Sequence, residues 1–489
     1  MTHFPDLRTY LAALDALGDV RHVTREVSAD LEAAAIIRLS TERGGPVPLL
    51  ENVAGAAPGF RLFGAPAALS SVPGKPFARL ALSLGLPAQT TAAELVDHLA
   101  RTRDVPPVPP KLVSREEAPC KQNILLGDEA TLDRFPVPRV HRYDGGNYPN
   151  TWGVIVAKTP DGQWVNWSIS RVMQIDGTHM TGQVHTSQHI GQIWEEWAKL
   201  GRPMPFALVQ GGDPAVPVVG GMPIPGGVDE AGFIGALHGE PLPVVRCETS
   251  DLEVPATAEI VIEGHMSPTR EVLEGPFAEF NGYANAEQTR QPLFTIDAIT
   301  YRDDPIWPII AVGRPADDAH LVMGTGESSQ LLAELREAGL PVTTVWLPLP
   351  LAAHWTVITV PGDWRETLPG LSPAQVAHRI TDVVDASRAG RLASHVFVLD
   401  DDIDPADDSD VLWALASRIH PVDRKEVRRG PIHAIELCYT DEERHAVHGP
   451  VVVAHALQPA PGQGRMSHAS FAQAYPPEVQ AKALQAWGD

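Results

Sequence analysis

Trp164-Val165-Asn166-Trp167-Ser168-Ile169-Ser170-Arg171 reads as a short strand whose end is unusually rich in polar groups. Three further pieces share its character: Gln188-His189, the turn Gly220-Gly221-Met222-Pro223-Ile224-Pro225-Gly226-Gly227-Val228-Asp229-Glu230, and Glu274-Gly275-Pro276-Phe277-Ala278-Glu279. Each brings an amide, an imidazole, a carboxylate or a guanidinium next to strand or turn residues. Together they are expected to line one pocket.

Around this stretch, residues 122–310 carry short β-branched runs separated by turn residues. They are Gly153–Lys158, Trp164–Ile169, Phe206–Gln210, Val244–Glu248, Ala258–Glu263, Leu293–Tyr301 and Trp307–Val312. That spacing predicts a β-barrel or sandwich, interrupted by one helix over Gln188–Leu200. Towards the N-terminus the pattern is α/β: helices over Leu7–Leu17, Ala29–Arg43 behind a Ser28 cap, and Thr91–Arg101, with strands over Val20–Val27 and Pro48–Val53. The charged groups of this unit show no convergence, so its expected role is structural. Pro106-Pro107-Val108-Pro109-Pro110 makes Arg103–Cys120 extended and marks a boundary. Beyond about 325, helices over Ser328–Ala338, Ser372–Ala389, Asp410–Arg418 and Pro477–Trp487 alternate with strands over Val342–Pro348, Trp355–Val360 and His395–Asp400. A second α/β unit is predicted there.

A chain of 489 residues implies two or three domains. Its net charge of −23, without any Lys/Arg-rich run, argues against nucleic acid and anionic membrane as partners. Cys120, Cys247 and Cys438 are too far apart for a CxxC site or a disulfide framework. Met1–Val20 is interrupted by Asp6, Arg8, Asp15 and Asp19, so it reads as neither signal peptide nor anchor. No apolar run reaches the roughly 20 residues a membrane helix needs. The expectation is a soluble cytoplasmic protein.

Asn166, His189 and Glu230 offer an amide oxygen, an imidazole and a carboxylate. This mostly hard donor set suits Mn²⁺ or Mg²⁺ better than Zn²⁺. Their separations match no local metal motif, so on the residues alone a strand-end turn, a helix cap and a solvated carboxylate are the expected reading. Gly220–Gly227 admits close backbone approach to a ligand, or is an ordinary loop; it has no dinucleotide or Walker pattern. Glu274 and Glu279, kept off a helix by Pro276, form with Arg171 a proton-transfer device or an exposed turn pair. His179, His185, His238, His265 and His433 are scattered without partners. Asp400-Asp401-Asp402-Ile403-Asp404 reads as a solvated turn. Trp194 and Trp197 are expected to pack.

Taken in order, these segments resemble the UbiD family of prenylated-FMN-dependent decarboxylases, nearest its ferulic/cinnamic acid branch. The carrying residues are Asn166–Arg171, Gln188-His189-Ile190, Met222–Pro225 with Glu230-Ala231-Gly232, and Val254–Thr257. Glu274–Phe277 with Glu279, Asp401–Asp404, Val411–Ala414 and Ala474-Tyr475-Pro476 complete the set. The resemblance implies an α/β multidomain fold. Its parts are an N-terminal α/β domain (1–120, with the Pro-rich linker), a central split β-barrel flavin-binding domain (121–315) and a C-terminal α/β dimerisation domain (316–489).

It further implies Mn²⁺ (or Mg²⁺) on Asn166, His189 and Glu230 with the cofactor phosphate. K⁺ would sit beside carbonyls of Trp167, Val219, Gly220 and Met222, near Arg418. Thr151, Ser168, Ile169, Ser170, Arg171, Gln188, Gly220, Gly221, Met222, Pro223 and Arg388 would line the prenylated FMN. Such an acidic protein needs local cations to hold a phosphate dianion. Arg171 would orient the substrate carboxylate and pair with Glu274, and Glu279 would return a proton to the former α-carbon; the flavin supplies the electron sink. The substrate is then a small unsaturated or (hetero)aromatic carboxylic acid, with a flavin prenyltransferase as cofactor supplier and a homodimer as the assembly.

Departures from the family pattern lie at Arg388, where lysine is usual, and Gly220-Gly221, where serines are usual. Phe280 replaces methionine, and His185, Gln188 and Pro431 fall at the expected substrate pocket, so the acid need not be cinnamate. Competing readings are a split-barrel FMN-dependent oxidoreductase and a docking protein. The first lacks a nucleotide fingerprint, and the second leaves Arg171, Glu274 and Glu279 without a shared task.

Overall fold

A computed structural model of the protein describes residues 3–285, 288–459 and 464–487. The architecture is multidomain α/β, with three principal sheets. The central sheet runs in the order Val165–Ile169, Val154–Lys158, Met204–Gln210, Ile260–Glu274, Thr289–Tyr301, His179–Gly182, Val172–Gln174. Its first and last strands are adjacent in the chain, separated only by Ser170 and Arg171. Three backbone steps reach at most about 11 Å, so the two edges must meet and the sheet rolls into a split barrel. Arg171 therefore sits at the seam.

The long Ile260–Glu274 strand pairs with Thr289–Tyr301 through register shifts after Glu263, Met266 and Arg270. Such bulges bend a hairpin and re-aim its end, and here the end carries Glu274. Gly264 permits the first bend, since a Cβ there would lie 1.9 Å from the Thr295 carbonyl oxygen. Trp194 and Trp197 pack as expected, their indoles donating to Ser267 O (2.8 Å) and Lys158 O (2.7 Å).

The N-terminal unit has helix Leu7–Ala16, capped by Asp6 and closed by Gly18 at φ 75°, and Ala92–Thr102, opened by a Thr91/Glu94 capping box. Three expectations are corrected here. The second helix starts at Glu32, not Ala29; the Ser28 N–H instead donates to Glu32 Oε2 (2.9 Å), and Ser28 ends the preceding extended segment. The strand Ile306–Ile309 leaves the barrel and pairs with Arg61–Gly64, completing the N-terminal sheet. The 306–309 stretch thus crosses the boundary expected at 315. Residues 106–112 are no free linker. Val108 N donates to Gly232 O (3.0 Å), and Lys111–Leu112 pairs with Pro243–Arg246.

Helix Glu230–His238 escapes sequence reading because it is buried on nearly every side and so shows no amphipathic stripe. Gly232 and Gly235 look like loop residues but are packing necessities. A Cβ on Gly235 would stand 2.3 Å from Val108 O, and one on Gly232 3.1 Å from Pro107 Cβ. Helix Asp318–Glu337 is also longer than expected, because Gly324 and Gly326 interrupt its pattern.

The C-terminal sheet runs Thr344–Trp346, Trp355–Val360, His395–Asp400, His448–His455, Lys425–Pro431. Helix Pro373–Ala386, with Pro at its first turn and a Ser372/Gln375 capping box, lies against it. The terminal helix Pro477–Trp487 buries none of its residues. No helix among the described residues is long and apolar enough to cross a membrane.

Candidate active site

At the seam, Arg171 is held by two carboxylates. Its Nε and Nη2 donate to Glu274 Oε1 (2.9 Å) and Oε2 (3.0 Å), and Nη1 pairs with Glu279. Glu274 is fully buried and also accepts from Tyr148 OH (3.1 Å) and Gln183 Nε2 (2.7 Å). Four donors saturate it. Glu279 is different: its side chain keeps 17% exposure, and among the described contacts of that side chain Arg171 is the partner. It stands at the tip of the short hairpin Phe277–Ala278/Ala284–Asn285, with its N–H on Tyr283 O (3.0 Å). The Phe277 ring lies under the guanidinium at 5.1 Å. Burial, and then Glu274, push the Tyr148 phenol up, so it acts as a donor.

The second half of the site begins one strand-length away. Asn166 Nδ2 and Trp167 N donate to the two oxygens of Glu230 at 2.7 and 2.8 Å, while Asn166 Oδ1 accepts the Ser168 hydroxyl. Glu230 is buried, and its hydrogen bonds come from neutral groups; burial pushes its carboxyl up to about 8. His189 faces Arg388 through Nε2 and meets the Trp164 ring at 4.9 Å. Burial, reinforced by the Arg388 charge, takes its imidazole down to about 4, the neutral form that binds metals. Glu230 and His189 each open a helix, Glu230–His238 and His189–Lys199, so each side chain sits at a positive helix end.

A neutral imidazole, an amide oxygen and a buried carboxylate without a charged partner fit a hard divalent cation, and Arg388 with the helix ends fits a phosphate. Gly220 adjoins the Trp167 carbonyl: a Cβ would lie 3.2 Å from it and 2.6 Å from Val154 Cγ1. A Cβ on Gly221 would lie 2.7 Å from Val322 Cγ1. Close packing therefore explains glycines at both positions. Val219, Gly220 and Met222 follow one another at the end of helix Ala215–Gly220, beside Trp167. Thr151 accepts Ile310 N on its hydroxyl (3.0 Å), and Ser170 donates to Gln183 O (2.6 Å). Gln188 caps the His189 helix, and its Oε1 is buried without a partner.

The C-terminal unit closes the far wall. Asn281 Nδ2 donates to Ile435 O (3.2 Å), and His320 Nε2 lies 2.6 Å from the Phe280 carbonyl. Pro431 leads into His433, whose neighbours are His185, Arg391 and His354. Solvent reaches the His185 and His433 rings, yet protein surrounds both. Desolvation, and then those basic neighbours, hold His433 below the usual imidazole range. His185 senses the Arg171 charge, and Phe280 follows Glu279 at the hairpin tip.

Several residues sit otherwise than expected. The Arg418 guanidinium is taken by Asp402 at 2.9 and 3.0 Å and by His468. Asp402 lies just past the C-terminal end of strand His395–Asp400, whereas Arg388 precedes its start. The acidic run is accordingly no solvated turn: Asp400 is buried and Asp402 is an ion-pair anchor. The scattered histidines also acquire partners, His238 with Asp213 and His265 with Asp297. Sequence reading missed Tyr148, Gln183, His320 and Glu327. Glu327 keeps a buried oxygen without a partner, and burial pushes its carboxyl up to about 8 against the pull of Arg388. A cavity of about 500 Å³ lies behind Met222–Pro225, between helices Ala92–Thr102, Glu230–His238 and Asp318–Glu337, and includes neither Arg171 nor His189.

Three family models match in succession. They are the N-terminal (residues 11–99), Rift-related (111–315) and C-terminal (320–445) domains of 3-octaprenyl-4-hydroxybenzoate carboxy-lyase, UbiD. The chain is 39% identical to a pyrrole-2-carboxylic acid decarboxylase of Pseudomonas aeruginosa, over 99% of this chain and 98% of the relative. It is 37% identical to ferulic acid decarboxylase 1 of Saccharomyces cerevisiae, over 85% and 84%. Among solved structures, vanillic acid decarboxylase of Sedimentibacter hydroxybenzoicus in its closed form superposes with TM-score 0.83, 25% identity and full coverage of both chains. An evolved dimeric form of the UbiD-class enzyme HmfF from Pelotomaculum thermopropionicum, in complex with prFMN, gives 0.79 at 27% identity, covering 95% and 97%.

Proposed function

The chain belongs to the UbiD family of carboxy-lyases, and from that premise we propose that it removes CO₂, reversibly, from an α,β-unsaturated or (hetero)aromatic acid with the help of prenylated FMN. The observation that carries the reading is Arg171 at the barrel seam, gripped by Glu274 and reaching Glu279. Asn166, His189 and Glu230 would hold Mn²⁺ (or Mg²⁺) and through it the cofactor phosphate, with Arg388 as the second cation. Trp167, Val219, Gly220 and Met222 would offer carbonyls to K⁺. Bound there, the modified flavin supplies the electron sink for the charge that CO₂ leaves behind.

The protein's own groups do the rest. Glu274 locks two of the guanidinium's donors and fixes its plane, so Arg171 presents its remaining edge to the substrate carboxylate. Two glutamates also offset the arginine's charge. An uncompensated arginine would bind the substrate carboxylate most tightly in the ground state, which does not speed its loss. Glu279 is the group able to carry a proton, because its side chain is not saturated by donors and it stands at an accessible hairpin tip. Phe280, His185, Gln188 and Pro431 would shape the pocket, and the two histidines nearby would add polar contacts to a heteroatom on the acid. A homodimer through the C-terminal unit is supported by the exposed apolar side chains of its last helices, Phe471, Tyr475, Leu484 and Trp487.

The test is co-expression with a flavin prenyltransferase, followed by absorbance and mass spectrometry of the purified protein and a screen of unsaturated acids for CO₂ release. Release from at least one acid, dependent on the prenylated cofactor, is expected. NAD(P)H oxidation with plain FMN and no CO₂ from any acid would overturn the proposal.

A further inference from the structure

Away from the seam, helices Ala215–Gly220 and Glu230–His238 turn their other ends towards the chain's N-terminus, and three ligating side chains meet there. Asp213 Oδ2 lies 2.9 Å from His3 Nε2 and 3.0 Å from His238 Nε2. The three ligand atoms fall within 4.8 Å of one another. Asp213 is buried, and its other oxygen caps Ala215 N (2.8 Å). Gly239, at φ 73°, turns the chain so that Glu240 reaches the opposite face of the His3 ring, with Oε1 2.9 Å from Nδ1. The left-handed backbone this turn requires favours glycine.

The proton count at His3 is the telling feature. Carboxylate oxygens face both ring nitrogens, so a neutral imidazole leaves one lone pair pointing at an anion. Either His3 is an imidazolium or a cation lies between Nε2 and Asp213. The His238 ring lies only 4.0 Å away, and its Nε2 shares the same carboxylate oxygen. A dication resolves the arrangement. It accepts both Nε2 lone pairs and one Asp213 oxygen, and it balances the two carboxylates. It also leaves His3 Nδ1–H donating to Glu240, the carboxylate–histidine relay that orients metal-bound imidazoles.

We propose that His3, Asp213 and His238 form a second metal site, for a borderline divalent cation of the Zn²⁺ type, with Glu240 as the orienting group. Two imidazoles and one carboxylate are a zinc-like donor set, unlike the harder set at Asn166, His189 and Glu230. The site is structural. It staples the N-terminal segment onto the two helices whose opposite ends carry Glu230 and Val219–Gly220.

The experiment uses full-length protein with a native N-terminus and no histidine tag, stripped with chelator and titrated with Zn²⁺ or Co²⁺. Wild type should bind one more equivalent of Zn²⁺ than His3→Ala or His238→Ala, while His189→Ala retains that equivalent. Co²⁺ should give visible d–d bands that vanish in His3→Ala. Glu240→Gln should weaken this Zn²⁺ about 10- to 100-fold, the usual effect of losing an orienting carboxylate. The His3 side chain is partly exposed, so His3→Ala serves if His238→Ala does not fold. Equal Zn²⁺ content and equal Co²⁺ spectra in wild type and His3→Ala would overturn the proposal and leave a hydrogen-bonded imidazolium clamp.

Discussion

Glu230 allows a quantitative test of the proposed cation site. Its carboxyl is buried and, among the described residues, bonded to Asn166 Nδ2 and Trp167 N, and burial raises it to about 8. In the unfolded chain a glutamate titrates near 4.3. Between those values the folded, cation-free protein holds a proton that the unfolded chain has lost. Stability should therefore fall as pH rises, by about 1.4 kcal/mol per unit and by roughly 5 kcal/mol across the whole window. Burial raises Asp318, Glu327 and Glu436 in the same direction, so the total slope is steeper. The contribution of Glu230 is isolated as the difference between wild type and Glu230→Gln. Glutamine costs a fixed amount for a mismatched donor, which does not vary with pH. Urea midpoints measured in chelator from pH 5 to pH 8 should converge with rising pH, as wild type loses its advantage. Saturating Mn²⁺ should flatten the wild-type curve and leave the variant unchanged. Parallel midpoints across the range would refute a buried, cation-seeking carboxylate at this position.

Three further outcomes are expected. Glu279→Gln should lower turnover at least 10²-fold, as for loss of a proton-transfer group, while the purified protein keeps its flavin absorbance; full activity would remove Glu279 from its role. Arg171→Lys should lower kcat/KM by more than 10-fold with the cofactor still bound, because an ammonium cannot make the two parallel bonds to Glu274 and also reach Glu279. An unchanged steady-state profile would show that the fork is not needed. Gly235→Ala places a Cβ 2.3 Å from Val108 O and should cost about 1–3 kcal/mol in thermal or urea unfolding, and weaken Mn²⁺ binding at the other end of the same helix.

Much of the site was legible because its chemistry-bearing residues lie on strands and turns with strong local signals. Asn166–Arg171 ends a strand as expected, and Glu274 and Glu279 flank Arg171 although 103 residues separate Arg171 from Glu274. What escaped was set by distant packing. Helix Glu230–His238 has no polar face to announce it, and its glycines answer to Val108 and Pro107 rather than to any turn. Ile306–Ile309 has an ordinary strand pattern; only the exposed edge of Arg61–Gly64 decides which sheet receives it. Tyr148 and Gln183 gain meaning solely from Glu274, and His238 from His3 and Asp213. The Asp402 pair, 16 residues away in the chain, fixes the Arg418 guanidinium in space.

The proline-rich run at 106–110 gives the chain an unexpected indivisibility. Lying flush against Gly232 and Gly235, it acts as a splint along the helix that begins with Glu230. A fragment starting at residue 121 would keep every barrel strand yet expose that helix's bare flank to water. The barrel half cannot be excised from what precedes it, and insertions tolerated by an ordinary tether would here be felt at Glu230.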